Sequence, residues 1–124
     1  MNPRWIGGIP IYRQIRDRMA DMILEGKVKE GGGLPSVRNV AAEFRINPLT
    51  VLKGYQQLVD ELLIESHRGR GMYVCAGARA NLLKDERKRF LETEWPRTKA
   101  TLQRLGLEIG DLLTTVERME KEHE

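Results

Sequence analysis

The chain has 124 residues, enough for one small domain with an appended segment. It contains no run of 18 apolar residues and no recognisable secretory leader, so the sequence predicts a soluble, cytoplasmic protein without a membrane span. The single cysteine, Cys75, excludes an internal disulfide, and with only two histidines the sequence predicts neither a metal site nor a cofactor.

The net charge of +3 is small, but it is unevenly placed along the chain. Residues 1–75 hold 11 Lys and Arg against 8 Asp and Glu, a net charge of +3, whereas residues 76–124 hold 10 of each kind. All of the excess positive charge therefore falls in the N-terminal part, which is where a polyanionic partner would be expected to bind.

The first predicted helix begins at Pro10 and ends at Gly26. Its apolar residues recur at helical spacing, and they are Ile11, Ile15, Met19, Met22 and Ile23. This amphipathic helix is predicted to lie across the next two helices and close a small core. Before it, Trp5 and Ile6 are expected to pack back onto the fold. After it, Val28 is expected to turn inward as a short strand beside a hairpin.

Two short helices joined by a tight turn are predicted next. Ser36 is a good N-cap for the first of them, which should end near Arg45. Asn47 as N-cap and Pro48 at the first helical position begin the second. The apolar face of this second helix is predicted to contain Val51, Tyr55, Leu58, Val59 and Leu62. Such a pair is the helix-turn-helix plan, whose second helix can enter the major groove of DNA.

The remaining faces of these two helices carry candidate DNA contacts. Thr50 can hydrogen-bond a base or a phosphate, and Lys53 can meet a phosphate or a guanine. Arg38 lies in the first turn of its helix, where it can clamp a phosphate held by the helix N-terminus or reach a base. The alternative for Arg38 is an ion pair with an acidic residue such as Glu43 or Asp60.

A β-hairpin with a basic tip is predicted to follow. Residues 63–66 and 72–74 are typical of short strands, and Arg68-Gly69-Arg70-Gly71 joins them. The glycines permit the positive φ of a hairpin turn, and a narrow tip bearing arginines suits the minor groove. Cap, turn, helix and hairpin in this order predict a winged helix. The alternative is a structural helix pair beside a solvated surface hairpin.

Residues 77–124 are predicted to form a separate helical region. A helix is expected from Ala80 to Trp95. Two further helices are expected at about 96–105 and 108–121 instead of one long helix, because Gly106 and Gly110 interrupt the apolar pattern. The apolar residues of the last two helices alternate spacings of three and four, and they are Leu102, Leu105, Ile109, Leu112, Val116 and Met119. So few helices cannot bury this much apolar surface alone. The pattern favours pairing with a second copy, with folding back onto the winged helix as the alternative.

Four motifs in order resemble the GntR family of bacterial transcription regulators. They are Pro10-Ile11-Tyr12 with Gln14-Ile15, Leu34-Pro35-Ser36-Val37-Arg38, Asn47-Pro48 with Thr50-Val51, and Arg68-Gly69-Arg70-Gly71. The resemblance covers residues from about 8 to 76, and the short C-terminal part resembles the YtrA-like subfamily by length and pattern only. It implies a mainly α (α+β) fold, with a winged helix-turn-helix DNA-binding domain at 8–76 and an all-helical dimerisation region at 77–124.

The family resemblance also implies a homodimer that represses or modulates promoters at an inverted-repeat operator in double-stranded DNA. By resemblance, the DNA contacts fall on Ser36, Arg38, Asn47, Thr50, Lys53, Arg68, Gly69 and Arg70. Leu49 stands where the family often has a polar residue, and it can read a thymine methyl instead. Arg45 and Leu62 stand where the family usually has glycine, and Arg45 can add a phosphate contact.

Two other classes of function compete with this one. A winged-helix adaptor would bind protein through its C-terminal helices and would bind DNA only non-specifically, at about 10⁻⁴–10⁻⁶ M. An enzyme would need a nucleophile–base pair, a metal-ligand spacing or a phosphate-binding loop. The sequence has none of these. Gly31-Gly32-Gly33 is not a phosphate-binding loop, because it lacks the following lysine and the preceding strand. It also shows no constellation of residues for binding a small-molecule effector.

Overall fold

The computed structural model describes residues 4–123 of the chain. The helices of this part are α1 (Ile11–Leu24), α2 (Val37–Phe44), α3 (Pro48–Asp60), α4 (Ala78–Arg89), α5 (Trp95–Leu105) and α6 (Ile109–Glu122), with a π-helical turn at Phe90–Glu94. Two antiparallel strands, β1 (Ile64–His67) and β2 (Gly71–Val74), form a hairpin after α3. The predicted fold class, mainly α with an N-terminal winged helix-turn-helix followed by helices, is confirmed.

The chain divides into two compact units, Met1–Lys84 and Asp85–Glu124. In the first unit, α1 packs across α3 around an aliphatic core. Ile15 and Ile23 of α1, as well as Leu58 of α3, are 1% exposed or less. Ala78 and Leu82 are also buried in this core, so the packing of the first unit extends beyond residue 76 and α4 begins two residues earlier than predicted.

Both helices of the helix-turn-helix begin at the predicted caps. The Asn39 N–H donates to Ser36 Oγ at 3.1 Å, and the Leu49 N–H donates to Asn47 Oδ1 at 2.9 Å. Pro48 is the first residue of α3, where its missing N–H costs no helical hydrogen bond. α2 ends at Phe44, and its C-cap residue, Arg45, takes the left-handed conformation with φ +54°. Local side-chain chemistry therefore sets the ends of these helices.

Leu62 departs from its predicted position on the apolar face of α3, and that prediction is wrong. The helix ends at Asp60, and Leu62 has φ +63° with 78% of its surface exposed. The chain needs a left-handed residue here to leave the helix and enter β1, a role that glycine fills without steric cost. The next residue, Leu63, is buried in place of Leu62.

The Leu62→Gly substitution is therefore expected to stabilise the protein. A left-handed conformation costs a non-glycine residue about 1–2 kcal/mol, and glycine removes this cost. Glycine also raises the entropy of the unfolded chain, which lowers the free energy of unfolding by about 0.4–1 kcal/mol. The net gain should be about 0.5–1 kcal/mol, measured by urea denaturation. Leu52→Gly is the control, because Leu52 lies inside α3 and glycine there should cost about 1 kcal/mol. Equal losses in both variants would contradict this account.

A third segment lies beside the hairpin, but it is not at Val28. Gly33 bridges Tyr73 of β2, and the Val74 N–H donates to the Gly32 carbonyl at 2.9 Å. Val28 is buried as predicted, yet its backbone is outside this pairing, so the predicted strand there is wrong. A Cβ added at Gly33 would lie 3.5 Å from the Tyr73 ring, an ordinary van der Waals distance, so this pairing does not depend on the absence of a side chain.

The arm before α1 packs back only in part. Trp5 packs against the core and meets Phe44 edge-on, with ring centroids 5.9 Å apart. Ile6, in contrast, is 62% exposed, so the prediction that its side chain packs inward is wrong. Its backbone N–H and carbonyl are instead hydrogen-bonded by the side chain of Gln14, which anchors the arm without burying Ile6.

The second unit contains α5 and α6, close to the predicted bounds. Gly106, with φ +68°, ends α5, and the Glu108 N–H donates to Asp111 Oδ2 at 2.8 Å as α6 begins. Leu102 is buried, but most apolar side chains of these helices are exposed. At least half exposed are Leu105, Ile109, Leu113, Val116 and Met119. No helix within residues 4–123 has the length and apolar content needed to span a bilayer.

Candidate nucleic-acid interface

The N-terminal end of α2 presents groups that suit a phosphate. Ser36 Oγ accepts the Asn39 N–H, so its hydroxyl hydrogen remains to be donated elsewhere. Arg38 is exposed in the first turn, and no acidic side chain of residues 4–123 forms an ion pair with it. The alternative partners, Glu43 and Asp60, therefore do not hold it. A free guanidinium beside a helix N-terminus attracts anions.

The predicted base-reading residues lie on the accessible side of α3. Leu49 is 70% exposed, Thr50 is half-buried and Lys53 is exposed, whereas Val51 and Tyr55 of the same helix are buried. Asn47 uses its side-chain oxygen as the helix cap, which leaves its amide hydrogens to be donated. α3 therefore has a buried face that fixes its position and an accessible face that carries polar, cationic and apolar groups.

A buried hydrogen bond fixes α3 to the segment that leads into α2. The Tyr55 hydroxyl donates to the Pro35 carbonyl at 2.6 Å. Burial raises the pKa of the Tyr55 phenol, so the neutral, donating form is favoured in the folded protein. The residue that follows Pro35 is the cap of α2, so this bond fixes the N-terminal end of α2 relative to α3.

The far end of α3 is tied to α1 by Arg16. The guanidinium donates to Glu61 Oε2 at 2.9 Å and to Asp17 Oδ1 at 3.0 Å. Burial opposes the charged form of Arg16, but the hydrogen bonds to Glu61 and Asp17 outweigh it and the pKa is raised. Arg16 therefore has a structural role, since its guanidinium links α1 to the residue that follows α3.

Gly54 lets α1 and α3 approach closely, and sequence reasoning missed it. A Cβ at this position would lie 2.7 Å from the Tyr12 carbonyl oxygen and 3.1 Å from Ile15 Cβ. A lone glycine inside a helix pattern is the signal that could have indicated close backbone packing. As a result, Ile11 and Tyr12 of α1 line a shallow depression together with Leu49, Thr50 and Lys53 of α3.

The wing carries its two arginines on an exposed tip. The Arg70 N–H donates to the His67 carbonyl at 2.8 Å, and Gly69 and Gly71 have φ +76° and +100°, as predicted for the hairpin turn. Next to this tip, at the end of β1, the His67 ring stacks on the Tyr73 ring with centroids 4.3 Å apart, and its Nε2 lies 2.8 Å from Glu65 Oε1. Neither Arg68 nor Arg70 has an acidic partner among the described residues.

All of the predicted DNA contacts thus lie in the first unit, at three places. Ser36 and Arg38 are at the start of α2, Asn47 to Lys53 are at the start of α3, and Arg68 to Arg70 are at the wing tip. The depression also brings Tyr12, which sequence reasoning left without a role, beside Thr50 and Lys53. In residues 4–123 no group of three or more His, Cys, Asp or Glu side chains could hold a metal ion.

Residues 11–74 match a family described as bacterial regulatory proteins, gntR family. The match begins with the first residue of α1 and ends with the last residue of β2, so it covers the whole winged helix. The chain is 45% identical over 74 residues to the HTH-type transcriptional repressor YtrA of Bacillus subtilis, which covers 60% of this chain and 57% of the repressor. This chain therefore matches little more than half of the length of that repressor.

Two solved structures extend the likeness. YtrA from Sulfolobus acidocaldarius, described as a GntR-family transcription factor, is 37% identical and covers 70% of this chain and 92% of its own, with a TM-score of 0.54. A protein from Bacteroides thetaiotaomicron, described as a transcriptional regulator of the GntR family, is 32% identical to this chain. The match covers 92% of this chain and 99% of that protein, with a TM-score of 0.68. Both YtrA relatives confirm the predicted resemblance to the YtrA-like subfamily. The chain belongs to the GntR family of bacterial regulatory proteins.

Proposed function

We propose that this protein is a sequence-specific DNA-binding transcription regulator that acts as a repressor. It binds an inverted-repeat operator as a homodimer in the cytoplasm. The observation that carries the proposal is the unpaired Arg38 at the N-terminus of α2, in the same unit as the accessible face of α3 and the basic wing tip. Membership in the GntR family and likeness to a transcriptional repressor support the proposal.

Phosphate contacts supply most of the affinity in this proposal. Ser36 and Asn47 each have hydrogen-bond donors left after capping a helix, and Arg38 adds a full charge beside the α2 N-terminus. Each phosphate that the protein neutralises releases counterions, so binding should weaken as the salt concentration rises. These contacts fix the register of the protein on the duplex without reading its sequence.

Recognition of the DNA sequence falls to α3 and to the wing. Thr50 and Lys53 can hydrogen-bond base edges in the major groove, and Leu49 offers an apolar contact for a thymine methyl. Arg68 and Arg70 extend from a narrow turn built on Gly69, which suits a minor groove of high negative potential. The wing therefore reads groove width, while α3 reads the bases.

Dimerisation falls to the helical region at 77–124, and the winged helix at 8–76 acts as the DNA-binding domain. The apolar side chains of α5 and α6 that remain half exposed would be covered by the same side chains of a second copy. A two-fold dimer presents two winged helices, which matches an operator with two inverted half-sites. No small-molecule effector is assigned.

The test is selection of genomic DNA fragments by the purified protein at two salt concentrations, followed by affinity measurements on the enriched site. Arg38→Ala is expected to weaken operator binding by about 1–3 kcal/mol, because it removes a charge-assisted contact. If Arg38 meets a phosphate, the slope of log affinity against log salt should also fall by about 0.9. Arg118→Ala in α6 is the matched control, since it removes the same charge outside the winged helix.

Two outcomes would contradict the proposal. In the first, the wild-type protein retains fragments indiscriminately and releases them in salt as Arg38→Ala does, which would favour a protein-binding adaptor. In the second, Arg38→Ala is correctly folded and binds the operator as tightly as Arg118→Ala does, which would remove Arg38 from the interface. A melting temperature equal to that of the wild type establishes that the variant is folded.

A further inference from the structure

We propose that Tyr12 of α1 is a positioning residue of the DNA-reading surface, which holds the Lys53 ammonium beside an apolar patch so that the site reads thymine. The inference rests on the proposed DNA binding, and it adds a residue from a helix outside the helix-turn-helix pair. The observation behind it is the juxtaposition of the Tyr12 ring, Lys53 and two exposed aliphatic side chains at the N-terminal end of α3.

Lys53 does not extend freely into solvent. Its Nζ lies 4.1 Å from the centroid of the Tyr12 ring, well within the range of a cation–π contact. In the described part of the chain no carboxylate pairs with this lysine, so the ring is what orients it. A lysine has a flexible stem and many rotamers, so a ring that restrains it determines which acceptors its ammonium can reach.

The position of Tyr12 is fixed by the packing of α1 on α3. Gly54 directly follows Lys53, and a Cβ there would lie 2.7 Å from the Tyr12 carbonyl oxygen. Ile15, one turn further along α1, is fully buried, and Arg16 is ion-paired to Glu61 beyond the end of α3. The ring is therefore held beside Lys53 by the close approach of the two helices at Gly54 and by the Arg16–Glu61 ion pair one turn further along α1.

The surroundings of the ammonium indicate which base it would meet. Ile11 and Leu49 are exposed, and they line the same depression as Tyr12, Thr50 and Lys53. In the major groove, thymine offers an acceptor, O4, directly beside an apolar methyl group, whereas guanine offers two acceptors and no methyl. A donor beside aliphatic side chains matches thymine. A lysine released from the ring would favour guanine or phosphate instead.

The test is a double-mutant cycle on the operator selected by the wild-type protein. Tyr12→Ala is expected to weaken operator binding about 2- to 5-fold, as loss of an exposed cation–π contact would. In the Lys53→Ala background the same change should have no further effect, because Tyr12 acts through Lys53. Tyr12→Phe keeps the ring and should bind within twofold of the wild type. Equal melting temperatures exclude a folding defect.

A second readout separates positioning from a merely structural role. Each thymine of the half-site is replaced in turn by deoxyuridine, which removes only the methyl group. At one position the wild type should lose about fourfold in affinity, the amount expected for one buried methyl group. Tyr12→Ala should accept guanine at that position more readily than the wild type does, because the released ammonium can reach the two guanine acceptors.

The outcomes distinguish this inference from the function on which it rests. If the wild type selects an operator but the losses in the cycle are additive, or no thymine methyl is sensed, the positioning role of Tyr12 is overturned and the regulator stands. If the wild type selects no operator at any salt concentration, the proposed function fails and this inference fails with it.

Discussion

Replacing Gly54 with valine is expected to destabilise the first unit strongly. The new Cβ would lie 2.7 Å from the Tyr12 carbonyl oxygen, and it would also press on Ile15 at 3.1 Å. Because the nearest atom belongs to the backbone of α1, the clash can be relieved only by moving that helix away from α3. Overpacking a core costs about 1–3 kcal/mol. The branched side chain should reach the upper end of this range, a large share of the about 5–15 kcal/mol that stabilises a typical domain.

Gly54→Ala isolates the steric effect from helix propensity. Alanine is about 1 kcal/mol better than glycine inside a helix, but it carries the same Cβ as valine. We expect a net loss of about 1–2 kcal/mol, measured by urea denaturation followed by circular dichroism. Gly110→Ala in α6 is the control, since nothing lies within 4 Å of a Cβ added there. A Gly54→Ala variant as stable as Gly110→Ala would show that the helices can separate without cost.

The second large effect is expected from Val116→Glu in α6. Val116 is 50% exposed and lies between Leu112 and Met119 on the apolar face that the proposed dimer would bury. Fully burying an exposed valine contributes about 1.5–3 kcal/mol, so covering the exposed half of Val116 contributes about half of this. A two-fold interface loses it twice, and each introduced carboxylate also resists desolvation. The dissociation constant of the dimer should therefore rise by at least about 10²-fold.

Loss of the dimer should also weaken operator binding, because the second winged helix no longer acts at a high effective concentration. Analytical ultracentrifugation measures the dissociation constant of the dimer, and titration with the full operator measures the affinity for DNA. Thr114→Glu is the matched control: it adds the same charge two residues away, about 200° round the helix from Val116. Equal dissociation in both variants, or none in Val116→Glu, would contradict dimerisation through this face.

The parts of the fold that follow from local chemistry were predictable from the sequence. Ser36 and Asn47 cap their helices through contacts within three residues, and the glycines of the wing tip turn the hairpin where their positions predict. Such features depend on neighbours along the chain, so a single sequence contains the information. The family resemblance and the order of the elements could be inferred on the same basis.

The features that the sequence did not predict depend on contacts between residues that are distant along the chain. Gly33 pairs with Tyr73, and Lys53 lies over Tyr12, and no spacing rule connects residues so far apart in the sequence. Periodicity predicts that Leu62 lies on a buried face, but the turn into β1 requires a left-handed residue there and exposes its side chain. Periodicity predicts which face of a helix is apolar, but it does not predict the residue at which the helix ends.

The division of α3 into a buried face and an accessible face has a consequence for how such a regulator can diverge. Leu49 lies outside the core and Thr50 is only half-buried, while the position of the helix depends on Val51 and Leu58, which are fully buried. Residues at 49 and 50 can therefore be exchanged with little effect on the free energy of unfolding. Duplicated copies of this gene could acquire new operators by a few substitutions, while the folded scaffold and the half-site spacing set by the proposed dimer are inherited unchanged.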